Sequence, residues 1–114
     1  MSKKAIYVNK VFDGTESEAR RWMSSPRLDW RYIALLYTSA KLPVDDPYYA
    51  ELRQEDSLDG ETWHGGFDYA FDENVDNPIG PGIYVMSSLR TSFPLFRVLI
   101  PAGYVGTAML RISF

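Results

Sequence analysis

Few residues here have chemistry to offer, and most lie between positions 61 and 78. Asp72-Glu73-Asn74-Val75-Asp76 sets oxygen donors at the D-x-N-x-D spacing of a calcium loop, in which carboxylate and carbonyl oxygens converge on one hard cation. Two positions break the pattern. Asn77 stands where glycine makes the sharp turn, and Ile83 where a bidentate glutamate closes the sphere. So incomplete a donor set reads as a solvated acidic turn, and no metal site is assigned. His64 is the sole histidine. An imidazole oriented by a carboxylate can act as base to a serine nucleophile. No nucleophile elbow or comparable local signature accompanies it, so no catalytic residue is assigned.

Trp63-His64-Gly65-Gly66 followed by Gly82-Ile83-Tyr84-Val85-Met86-Ser87-Ser88 resembles, over a small part of the chain, the ADP-ribosyltransferase pattern. That family sets a His or Arg on one strand, a Tyr or Ser on another and an acidic residue on a later strand. No Asp or Glu follows Asp76. The acid that would stabilise an oxocarbenium-like transition state is therefore missing, and the resemblance implies no transferase site. Gly80-Pro81-Gly82 and Pro101-Ala102-Gly103 lack the spacing of a phosphate-binding loop. No cofactor is expected.

The elements that must position these groups are read from periodicity. Residues 4–9 alternate and are β-prone, and Asp13-Gly14 signals a turn. Thr15-Glu16-Ser17-Glu18 matches a capping box, with Ala19, Trp22 and Met23 following at i, i+3, i+4, so the spacing predicts a short helix. Residues 28–38 lean to a strand by their β-branched and aromatic content, while Ser25-Pro26 offers a cap and first-turn proline for a helix there instead. Asp46-Pro47 is an acidic cap with proline at the first helical position, predicting a second short helix through Tyr48, Tyr49, Leu52 and Arg53. Gly65-Gly66 between 61–64 and 67–71 predicts a hairpin tip. Residues 72–82 read as a loop, and 83–86, 96–100 and 104–114 as strands. The expected fold is α+β: one domain over residues 1–114, an N-terminal strand and one or two short helices, then an antiparallel β-meander.

Composition narrows the function classes. A chain of 114 residues with 46% hydrophobic content supports one folded core. With no cysteine, disulfides, thiolate metal sites and thiol nucleophiles are excluded, and a reducing compartment is compatible. The start, Met1 to Lys10, has too few apolar residues for a signal-peptide core, and no stretch has the length of a membrane span. A cytoplasmic location, in the producing or a host cell, is the expectation.

The net charge of −3 hides a strong segregation. The balance is +4 over residues 1–41, −10 over 42–78 and +3 over 79–114. The basic N-terminal part carries Trp22, Trp30 and Tyr32, but so much acid within a Debye length would blunt attraction to phosphates. Direct nucleic-acid binding is not expected. Clustered carboxylates steer association with basic surfaces, and interleaved aromatics are the residues that anchor interfaces. The expectation is a small non-enzymatic binding protein that docks on the basic surface of a protein partner through Trp63, His64, Asp68, Tyr69, Asp72, Glu73 and Asp76. Inhibitors of nucleic-acid-binding complexes, including phage-type anti-defence proteins, are of this physical type. The alternatives are a small hydrolase or transferase using His64 and nearby carboxylates, and a self-associating assembly component.

Overall fold

A computed structural model describes residues 5–27, 33–46, 49–72, 82–86 and 93–113. Eight strands carry it: β1 (Ala5–Asp13), β2 (Trp22–Ser24), β3 (Ile33–Thr38), β4 (Tyr49–Ser57), β5 (Trp63–Asp72), β6 (Gly82–Met86), β7 (Leu95–Leu99) and β8 (Val105–Ser113). They form one sheet in the order β1-β8-β3-β6-β5-β4-β7-β2, and every pairing is antiparallel. The sheet curls until its edges approach. There the Lys10 ammonium donates to the Arg20 carbonyl just before β2, so the barrel is nearly closed.

The α+β expectation is overturned: among the described residues the fold is antiparallel β apart from one 3-10 turn. Both predicted helices fail for identifiable reasons. In the first, the capping residues are spent on a turn. Asp13 Oδ1 accepts from the Thr15 amide (2.9 Å) and hydroxyl (2.6 Å), while the Glu16 carboxylate accepts from the Asp13 and Gly14 amides. Thr15 is thus not available to cap Glu18. Only a 3-10 turn forms, Glu18–Arg20, and Met23 then points in while Trp22 points out, a strand period. In the second, Ala50 and Leu52 are buried while Tyr49 and Glu51 are exposed. That alternation belongs to β4. The segment's β-prone tyrosine and its partners on β5 and β7 outweigh the cap signal. Pro47 and Tyr48 lie outside the described residues, as do 28–32 and most of the predicted 72–82 loop.

The hairpin also moves. Gly65 and Gly66 lie within β5, opposite Glu55 and Gln54. The tip is at residues 58–62, where the Ser57 hydroxyl donates to the Thr62 carbonyl (2.6 Å) and Asp59 Oδ1 accepts from the Glu61 and Thr62 amides (both 2.8 Å). Nor do the last three strands form a meander, for β6, β7 and β8 each pair with earlier strands instead of one another.

Most even-numbered residues of β3, β4, β6, β7 and β8 face the interior, as does Met23 of β2. Phe12, Met23, Leu36, Leu52, Tyr84, Met86, Phe96, Val98, Leu110 and Ile112 fill it. Tyr104 locks one end: its hydroxyl donates to the Thr107 carbonyl (2.6 Å) and accepts from the Ser39 amide (3.1 Å), while its ring meets Phe12 edge-on. Among the described residues, no helix is long and apolar enough to cross a membrane.

Candidate functional site

The strand period that builds the core also decides what lies outside. On β5 the inward positions are Asp68, Ala70 and Asp72, and the outward ones Phe67, Tyr69 and Phe71. This inverts the ordinary polarity of a half-buried strand. Register enforces it, since Ala50 and Leu52 of β4 face the core and their partners Ala70 and Asp68 must face the same way. The aromatic rings of β5 are therefore displayed. Phe67 is 65% exposed and Tyr69 66%.

Two groups of side chains occupy this outer face. The first lies at the start of β4. Tyr49 meets Tyr69 edge-on at 6.2 Å and 89°, and Phe71 at 5.9 Å and 75°. Asp46 Oδ1 accepts from the Tyr49 amide at 3.5 Å. Pro43, Val44, Asp45, Asp46, Tyr49, Glu51 and Tyr69 together enclose an open groove of tyrosine rings and carboxylates. Among the described residues, no basic one lines it.

The second group spans β2, β7, β4 and β5. The Arg97 guanidinium sits between the Trp22 and Trp63 rings, at 4.0 and 4.1 Å from their centroids. Beside it the Glu55 side chain, 8% exposed, accepts from Arg97 at 2.6 Å and from Arg53 at 3.1 Å. Arg53 also pairs with Glu18 at 3.3 Å and lies over Trp22. This face can therefore hold a guanidinium by stacking and by carboxylate together. Gly65, directly opposite Glu55, has φ +144°, and a β-carbon there would stand 2.5 Å from the Gln54 carbonyl oxygen.

The residues singled out from sequence are divided by this geometry. Trp63 and Tyr69 are on the outer face, Trp63 in the arginine stack and Tyr69 in the groove. His64, Asp68 and Asp72 are on the opposite face of β5. His64 is exposed at the barrel end, across from Asp56 and 5.8 Å from the Phe93 ring. Asp68 is half-buried and Asp72 is fully buried. Glu73 and Asp76 lie outside the described residues, and with them most of the calcium-like segment. Among the described residues, no group of three potential metal ligands is assembled.

The acids of residues 42–78 thus serve several ends. Glu55 holds two arginines, Asp59 shapes a turn, Asp56 and Asp72 are buried, and Asp45, Asp46 and Glu51 line the groove. Hydrogen bonds from the Thr62 and Glu61 amides hold the Asp59 carboxyl below the ordinary 3.8. In the interior, burial pushes the Tyr84 phenol above 10.0, with the nearby Asp72 and Tyr104 adding to it.

Sequence reasoning missed Tyr49, Glu51, Asp45 and Asp46 as one site, because it placed 46–53 on a helix. The available signal was the strict alternation of Tyr49, Glu51 and Arg53 with Ala50, Leu52 and Gln54. Comparison with known families, with curated proteins and with solved structures finds no match.

Proposed function

We propose that this chain is a small binding protein that docks the outer face of β4 and β5 onto a basic surface of a protein partner. The observation that carries the reading is the exposure of Tyr49, Phe67 and Tyr69 alongside Asp45, Asp46 and Glu51. Large rings left in water on one face supply the apolar contact of an interface. The carboxylates beside them orient a cationic partner and repel an acidic one. A basic cleft shaped for phosphates offers the complement of such a face, so an inhibitor that covers the nucleic-acid site of another protein is the form of this function we favour.

The test is capture of a partner from lysate by the immobilised chain at ~50 mM and ~500 mM salt, with Tyr69→Ala and the double variant Asp45→Asn, Asp46→Asn beside the wild type. We expect a partner bearing a basic surface, weakened by salt and lost with Tyr69→Ala. Capture indifferent to salt and to both variants would rule out this face.

A further inference from the structure

Glu55 and Glu51 are the same residue type on the outer side of one strand, four positions apart, and both lie beside exposed or half-exposed aromatic rings. What differs is the cation. β7 pairs with β4 only from Arg53 to Ser57, and within that span Arg97 lies directly across from Glu55 and enters the space between Trp22 and Trp63. β7 makes no pairing with β4 at Glu51. There Glu51 makes no ion pair with any described residue, while Tyr69 stands directly across from it and Tyr49 completes the groove. The carboxylates Asp45 and Asp46 also line the groove.

We infer that the groove of Tyr49, Glu51 and Tyr69 is a seat for an arginine side chain of the protein partner, the guanidinium stacking on tyrosine and pairing with Glu51 as Arg97 does with Trp63 and Glu55. The inference rests on the docking proposal and names the group recognised. A guanidinium suits the seat because its plane stacks on a ring while its edge donates two parallel hydrogen bonds to a carboxylate. An ammonium offers a point charge and cannot do both with the same geometry. Arginine in place of lysine is thus the specific content of the claim.

The experiment is a titration of the full chain, followed by NMR at the Tyr49, Tyr69 and Glu51 signals, with a blocked Gly-Arg-Gly peptide and its lysine and citrulline counterparts. Citrulline keeps the shape and removes the charge. We expect shifts concentrated at these three residues with the arginine peptide, weaker ones with lysine and none with citrulline. Tyr69→Ala and Glu51→Gln should each weaken the arginine response about two- to five-fold. Both positions are exposed, and an unchanged circular dichroism melt confirms folding. Equal responses to arginine and lysine, or arginine shifts lying elsewhere, would overturn the guanidinium seat. If partner capture then still depends on salt and on Tyr69, the docking proposal stands without it. If capture depends on neither, both fail.

Discussion

Glu55 holds two guanidinium groups with a carboxylate only 8% exposed, so removing it leaves both arginines without their shared acceptor. Breaking a wholly buried pair costs about 3–5 kcal/mol. Arg97 and Arg53 are 24% and 37% exposed, and water screens part of that loss. Glu55→Gln and Arg97→Met should each cost about 2 kcal/mol in urea denaturation, Arg97→Met also changing the Trp63 fluorescence. Two groups contribute a pH dependence of stability. Asp59 titrates below 3.8 in the fold, so its contribution is present above that pH and lost as pH falls through the lower folded value. The stability gap between wild type and Asp59→Ala should be constant near neutrality and shrink below pH 3.8. Tyr84 titrates above 10.0. Its neutral form is favoured by folding, so that stability holds below pH 10.0 and is lost as pH rises towards the folded value. Tyr84→Phe should lack this alkaline component in a pH-dependent melt.

The Gly65-Gly66 pair separates what an element demands from what a dipeptide suggests. Gly65→Ala forces a β-carbon into the Gln54 carbonyl at a φ that L residues avoid, and should lower stability by about 2 kcal/mol or more. Gly66→Ala meets nothing within 4 Å and should be neutral or slightly stabilising by thermal melt. A hairpin tip at these residues would make both substitutions costly. Strands at 83–86, 96–100 and 104–114 were legible because β-branched and aromatic runs are bounded there by Pro94 and Pro101-Ala102-Gly103. The helices were not legible, since a capping box and an Asp-Pro start are local signals. Their hydrogen-bonding groups were claimed by Asp13, Glu16 and neighbouring strands. The site was half legible. Tyr69 and Trp63 were found by type, but the side of β5 on which each acid falls depends on register with β4, which no window of sequence contains.

At the scale of the molecule, core and surface acids must behave differently. Asp72→Lys puts a cation in a fully buried position and should abolish the cooperative melt. Asp46→Lys, at an exposed position, should leave the melt within about 0.5 kcal/mol while weakening capture of the partner. Most of the contacts that hold the barrel join residues distant in sequence, and the longest-range of them is the pairing of β1 with β8, from Ala5↔Ser113 to Asp13↔Val105. β8 also fills the place between β1 and β3. The strand that ties β1 to the rest of this sheet is thus the last of its eight in sequence order, and is synthesised after the other seven. Until it emerges, β1 and β3 each present an open edge to other chains, and at translation speeds of about 5–20 residues per second that interval lasts seconds. Production of this protein should accordingly reward slow synthesis and low temperature. Premature termination anywhere before Val105 should yield insoluble fragments rather than a smaller fold.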